Sequence, residues 1–118
     1  MPALVGRDDS DRPWERAGGR NQEFGLALAG LLPALGRPVQ VASVGTDGVD
    51  GPTDAAGARV DDTTAARARA RGLDLEAALD ANDSWSVFEA LGDLIRTGPT
   101  STNVGDLQVV LVAPRSAE

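Results

Sequence analysis

The chain has 118 residues, 42% of them hydrophobic but only 3% aromatic. That suffices for one modest core built from Ala, Leu and Val. Eleven Lys plus Arg against eighteen Asp plus Glu leave a net charge of −7, which repels nucleic-acid phosphates and anionic lipid surfaces and sets both aside as partners. Cys, His, Tyr and Lys are absent, so disulfides, thiol nucleophiles, the usual zinc sites, a Ser-His-Asp triad, a Schiff base and a P-loop are excluded. Any phosphate chemistry here falls to Arg and backbone amides, and any metal must be bound through oxygen.

Residues 1–17 are polar, mixed in charge and without periodicity, with Pro2 and Pro13 opposing regular structure. They read as a loose N-terminal arm, with Trp14 a partly exposed anchor. A glycine turn, Gly18-Gly19, then leads through Arg20-Asn21-Gln22-Glu23 into a helix in which Phe24, Leu28, Leu31, Leu32 and Leu35 recur at helical spacing. Pro33 is expected to end or kink it near Leu32. The longest apolar stretch, Phe24 to Leu35, falls short of the roughly 20 residues of a membrane span. With no signal-peptide pattern at the N-terminus, the expected location is the cytoplasm.

The β-branched run at residues 39–44 predicts a buried strand. Directly after it, Thr46 to Asp54 packs three carboxylates and two glycines into one loop. The segment from Asp54 to Gly72 reads as helical in parts, with Asp62 or Thr63 as N-cap and Gly72 as the stop. Asp74 and then Asp83 or Ser84 are expected to cap two further helices. A strand around Asp93 to Thr97, a loop at 98–105 and a last strand at 107–112 complete the pattern. Strands alternating with helices predict an α/β fold: a single, three-layer-like domain over 18–113, with a short mixed sheet flanked by helices, and a tail at 114–118.

Three constellations are candidates for chemistry. Gly18 and Gly19 at a helix N-terminus, followed by Arg20 and Asn21, could cradle an anion on backbone amides; a tight turn with a solvated Arg20 explains the same residues. The helix dipole supplies only ~0.3–1 kcal/mol at an exposed site, so an anion reading leans on Arg20. Asp47 and Asp50 could hold Mg²⁺, which takes one or two protein carboxylates and fills its shell with water and phosphate, although Asp and Gly also simply form turns. Thr100, Thr102 and Asn103 offer donors for an anion-binding nest, or form an ordinary polar connection. Arg67, Arg69 and Arg71 alternate along one helix and read as a solvated surface.

The motifs GGRNQE, TDGVDGPTDAAGARVD, NDS and TGPTSTNVGDLQVVLV, in this order and spacing across residues 18–112, resemble the MOFRL domain of class II glycerate kinases. The resemblance implies the C-terminal one of two domains flanking a cleft, where ATP phosphorylates the 2-hydroxyl of D-glycerate. It implies that Arg20 is the functional, catalytic Arg, that Asp47, Asp50, Thr100, Thr102 and Asn103 are cleft residues, and that ATP and Mg²⁺ are cofactors. The implied partner is an N-terminal glycerate kinase domain or a second copy. By the same resemblance the chain alone is expected to be incomplete, the alternative being a non-catalytic binding module on the same fold. Members of this family have also been labelled hydroxypyruvate reductases, but no dinucleotide fingerprint stands in this sequence. Two departures from the family pattern stand out. No Gly-Gly-Glu strand segment precedes GGRNQE, which implies an absent edge strand. Ser101 also stands where the family has Gly.

Overall fold

The computed structural model describes residues 18–114. The N-terminal arm and residues 115–118 of the tail lie outside the described residues. Helix α1 (Arg20–Ala29) is followed by a short 3-10 turn (Leu32–Leu35) and strand β1 (Val39–Gly45). Strand β2 (Gly57–Asp61) and the helices α2 (Thr64–Ala70), α3 (Leu75–Asp80) and α4 (Ser84–Leu91) come next. A two-residue strand β3 (Leu94–Ile95) and a seven-residue strand β4 (Asp106–Val112) end the described fold.

The fold is α/β. Its sheet has the order β3-β2-β1-β4, and every pairing is antiparallel, where a mixed sheet was expected. The reason is β2. The segment GARVD falls in the stretch expected to be helical in parts, yet it forms the strand between β1 and β3 and turns the β1 connection into a hairpin. The four helices lie on one face of the sheet. Val39, Val41 and Ser43 of β1 and Ala58 and Val60 of β2 point into that face and are buried, whereas Gln40 and Arg59 on the other face are exposed. Among the described residues the fold therefore has two layers rather than the expected three.

The core consists mainly of Leu26, Ala29, Leu32, Val39, Val41, Ala58, Val60, Ala68 and Val87 gathered around Phe88. Phe88 is fully buried, and the small aliphatic side chains predicted from composition fill the space around it. The buried face of α1 differs from the expected leucine stripe. Asn21, Gln22, Gly25, Leu26 and Ala29 face inward, while Phe24, Leu31 and Leu35 are 46%, 66% and 51% exposed. The regular helix ends at Ala29, and Pro33 opens the 3-10 turn instead of kinking a continuous helix.

Capping follows the sequence more closely. Asp74 accepts from the Ala77 amide and Asp83 from the Ser86 amide. Gly72 and Gly92 end α2 and α4 with positive φ. At the start of α2, neither Asp62 nor Thr63 caps through its side chain. Asp61 accepts from the Thr63 amide, and Thr64 Oγ1 accepts from the Asp61 amide, while Asp62 is drawn away to the Val39 amide.

Candidate functional site

Antiparallel pairing brings the C-terminal ends of β1 and β3 to the same end of the sheet as the start of β4. The β1–β2 connection (46–56) and the β3–β4 connection (96–105) therefore meet there, together with the N-terminus of α1. A shallow cleft of about 210 Å³ opens between them, and Arg20, Asn21, Asp47, Asp50, Asn103 and Asp106 line it. Five of these six were named from the sequence.

Asp50 has a different role from the one expected. It is 2% exposed and sits directly on the first turn of α1. Oδ1 accepts from the Asn21 amide at 3.0 Å and from Asn21 Nδ2 at 3.2 Å, and Oδ2 accepts from the Gln22 amide at 2.8 Å. A carboxylate is favoured at this position because the first amides of a helix lack intrahelical acceptors and carry partial positive charge. The anion cradle predicted at Gly18-Gly19 is thus filled by the protein itself. The glycines permit the approach: a Cβ on Gly19 would overlap the Asp50 backbone, and one on Gly18 would overlap the Ser84 hydroxyl.

Asp47 accepts from the Val49 amide through Oδ1 at 3.0 Å, forming a local turn. Asp50 is spent on α1 and is thereby drawn away from the pair expected to hold Mg²⁺, and no group of three or more His, Cys, Asp or Glu side chains stands together among the described residues.

Arg20 is exposed but not free. Its Nε and Nη2 donate to the two carboxylate oxygens of Asp106 at 2.5 and 3.2 Å. Such forked pairing fixes the plane of the guanidinium and consumes two of its five N–H donors. The bond from Arg20, and after it one from Asn21 Nδ2, holds the Asp106 carboxyl below the usual range, while Asp106 raises Arg20 in turn. Asn21 continues the network inward. Its Oδ1 accepts from Ser43 Oγ at 2.6 Å, and Gln108 Nε2 donates to Ser43 Oγ at 3.1 Å. Gln22, fully buried, donates through Nε2 to Thr53 Oγ1 at 2.9 Å. The first turn of α1 is therefore bolted to β1, to β4 and to the carboxylate loop.

Thr100 and Thr102 do not line the cleft. Thr100 clamps the two loops together, its amide donating to the Asp47 carbonyl at 3.2 Å and its hydroxyl to the Thr46 carbonyl at 2.5 Å. Thr102 donates its amide to Thr100 Oγ1. Thr46 completes the clamp: its hydroxyl donates to the Gly105 carbonyl and accepts from the Val104 amide. These donors are turned toward the neighbouring loop instead of forming an open nest. Asn103 reaches the cleft and accepts from the Gly105 amide. Ser101 adopts a positive φ of 65°, the backbone region that glycine occupies without strain.

Sequence reasoning missed Asp106, Thr46, Ser43 and Gln108. Asp106 lies 86 residues from Arg20, so no local spacing pairs them. A second polar cleft of about 300 Å³ lies beside Arg59, Asp61, Arg67 and Asp93. Arg67, expected to be solvated, pairs with the nearly buried Asp93 at 2.7 Å, and Arg59 approaches it at 3.4 Å. Both cations are there to balance a carboxylate removed from water.

A sequence model described as the MOFRL family matches residues 11–106. The chain belongs to the MOFRL family. It is 48% identical over 95 residues to D-glycerate 2-kinase of Thermotoga maritima, a match covering 80% of this chain and 22% of that protein. It is 46% identical over 105 residues to human glycerate kinase, covering 83% of this chain and 20% of the relative. A crystal structure of glycerate kinase from Thermotoga maritima superposes with a TM-score of 0.76 at 48% identity, covering 81% of this chain and 23% of the other. This MOFRL chain thus spans about a fifth of the length of the relatives it matches. No helix among its described residues is long and apolar enough to cross a membrane.

Proposed function

We propose that this MOFRL chain works as one domain of a D-glycerate 2-kinase, with Arg20 as its catalytic contribution. In that reaction the γ-phosphoryl group of ATP passes to the 2-hydroxyl of D-glycerate, giving ADP and the 2-phosphorylated acid. Such transfers depend on positioning and charge neutralisation more than on covalent chemistry. The observation that carries the proposal is the presentation of Arg20: a guanidinium fixed by Asp106 at the rim of a cleft, with three of its five N–H donors without a partner among the described residues and open to an anionic oxygen. A pre-oriented cation loses little freedom when it meets charge developing in a transition state. Asn21, locked by Asp50 and Ser43, keeps the base of that cation in place, and Asn103 provides a neutral polar wall.

The remaining parts are assigned to the larger domain that the relatives carry in addition. We assign the grip on ATP and Mg²⁺ to that domain, since Asp50 is a helix cap here and the chain has no Lys. The chain alone is therefore expected to be inactive.

The test is ATP-dependent phosphorylation of D-glycerate in the presence of Mg²⁺, by this chain alone and then mixed with the N-terminal four-fifths of the Thermotoga maritima enzyme. Turnover only in the mixture, abolished by Arg20→Ala and not restored by Arg20→Lys, is the expected result. A demonstrated complex without turnover would overturn the proposal.

A further inference from the structure

Ser43 puts a hydroxyl into an apolar strand, and Gln108 is the residue paired with it across β1 and β4. Ser43 is 1% exposed, and a hydroxyl taken that far out of water costs stability unless its hydrogen bonds are made. Which group donates in each of those bonds follows from the charged end of the network. The side-chain atom of Asn21 that lies 3.2 Å from Asp50 Oδ1 and 3.2 Å from Asp106 Oδ1 stands between two carboxylates, and ionised carboxylates only accept. It must be the NH₂ group. Asn21 Oδ1 is therefore the atom that faces Ser43 at 2.6 Å, and a carbonyl oxygen needs a donor. Ser43 has a single proton to give, and it goes to Asn21. The Ser43 oxygen is left as an acceptor, so the Gln108 atom 3.1 Å from it is again an NH₂ group, which also lies 3.4 Å from Asn21 Oδ1. Every bond in the series points the same way, from Gln108 through Ser43 and Asn21 to the carboxylates.

The series meets Arg20 at Asp106. Oδ1 of Asp106 accepts from Asn21 Nδ2 and from Arg20 Nη2, both at 3.2 Å, while Oδ2 accepts from Arg20 Nε at 2.5 Å. The plane of the guanidinium follows the plane of this carboxylate, and among the described residues Asn21 is the group that steadies the carboxylate from its other side. We propose that Ser43 is a positioning residue for Arg20, acting through Asn21 and Asp106, and that Gln108 keeps the Ser43 proton directed at Asn21. Hydrogen bonds aligned head to tail in a buried setting strengthen one another, so reversing one of them is felt along the series. An acceptor in place of the Gln108 NH₂ group draws the Ser43 proton to itself, leaves Asn21 Oδ1 without its short donor and lets the amide turn away from Asp106. The functional meaning of this coupling rests on the reading of Arg20 as the catalytic group, whereas the coupling itself belongs to this chain alone.

The experiment follows the Arg20 Nε–H signal of the full 118-residue chain by ¹⁵N-resolved NMR, assigned by its loss in Arg20→Lys. Three further variants are compared. Ser43→Ala removes the proton, Gln108→Glu keeps the shape of the side chain and turns the donor into an acceptor, and Gln108→Met keeps the length and offers neither. Expected is a resolved Arg20 signal in the parent that exchanges with water roughly tenfold faster in Ser43→Ala and in Gln108→Glu, as the loss of one buried bond implies. Gln108→Met is expected to have a smaller effect than Gln108→Glu. The absence of an Arg20 signal in the parent, an unchanged signal in either Ser43→Ala or Gln108→Glu, or an effect of Gln108→Met equal to that of Gln108→Glu overturns the proposal. Gln108 is exposed, so its two variants decide the matter if Ser43→Ala does not fold. Turnover of D-glycerate in the mixture with the N-terminal four-fifths of the Thermotoga maritima enzyme is read separately. There Gln108→Glu is expected to lower kcat roughly tenfold to a hundredfold with little change in the KM for D-glycerate, and a raised KM at unchanged kcat overturns the proposal as well. A parent mixture without turnover counts against the kinase reading, while a weakened Arg20 signal in Gln108→Glu still supports the coupling.

Discussion

Replacing Asp50 by Asn separates a helix cap from a metal ligand. Asp50 accepts three bonds, from the Asn21 and Gln22 amides and from Asn21 Nδ2. In the Asn variant one side-chain oxygen can still serve Asn21, but the new NH₂ group faces the Gln22 amide, donor against donor. Hydrogen bonds to charged groups contribute about 1.5–3 kcal/mol each, and an unsatisfied buried donor costs about 1–3 kcal/mol. One bond lost and the others weakened to neutral strength give roughly 2–3 kcal/mol of destabilisation, against a total of about 5–15 kcal/mol for a domain. For a domain of this size that lowers the melting temperature by roughly 10–20 °C at about 4–8 °C per kcal/mol. Thermal and urea unfolding at pH 7 without divalent cations provide the assay. A carboxylate kept for an absent metal would repel its acidic neighbours Asp47 and Asp106, and neutralising it would stabilise the apo chain. An Asp50→Asn variant as stable as the parent, or more stable, would therefore refute the capping argument.

Ser101→Gly removes a left-handed strain of about 1–2 kcal/mol, partly offset by about 0.5–1 kcal/mol of added unfolded-state freedom; a net gain of roughly 0.5 kcal/mol should appear as a higher urea midpoint, and a lower one would refute the assigned strain. Gly25→Ala should stabilise α1 by about 0.5–1 kcal/mol, because the new Cβ meets Phe88 and Val60 at an ordinary 3.6 Å. Gly57→Ala should destabilise by about 3 kcal/mol, because its Cβ would overlap the Ser43 carbonyl; paired melting curves test both, and a shift of the same sign for the two would contradict the packing. Asp106 has its folded pKa depressed by the Arg20 bond, so the stability it contributes is complete above the unfolded value of about 3.9 and is lost as pH falls through the lower folded value. The difference in urea midpoint between the parent and Asp106→Asn should accordingly be constant from pH 7 to about 5 and close below about 4; a gap that persists at pH 2 would show that Asp106 acts through something other than its charge.

The sequence made some of this legible for definite physical reasons. Gly18-Gly19 marked the start of α1 because a Cβ would collide with Ser84 at Gly18 and with Asp50 at Gly19. The cleft residues Arg20, Asn21, Asp47, Asp50 and Asn103 were found because they lie in three polar segments beside apolar runs, the first turn of α1 and two loops, and the fold brings those segments together. What stayed hidden was set by partners distant in the chain. Strand β2 has little strand propensity of its own and is held by pairing on both sides, to β1 and β3, a case of tertiary context overriding local preference. The inward face of α1 was misread because polar Asn21 and Gln22 are buried for their hydrogen bonds while Phe24 is left outside. Hydrophobic periodicity has no means of registering a polar residue that is inside for its bonds. The Arg20–Asp106 fork is invisible for the same reason: nothing local distinguishes Asp106 from any acidic residue that opens a strand.

The charges around the cleft explain why a division of labour suits this domain. Among the described residues that line the cleft, one cation, Arg20, faces Asp47, Asp50 and Asp106; Asp50 neutralises the helix terminus and Asp106 neutralises Arg20 itself. The local field is therefore not that of a phosphate-binding site, and a chain of net charge −7 adds long-range repulsion against a polyanion such as ATP. A rigid, prepaid geometry with little net attraction is of small use for capturing substrate, but it is well suited to meeting one already held by another domain. There, exclusion of water on closure strengthens each remaining Arg20 N–H interaction. By this reasoning the acidic residues around Arg20 do not weaken its role. If Arg20 acts as proposed, they would keep it oriented and limit its capture of stray anions until a second wall is in place.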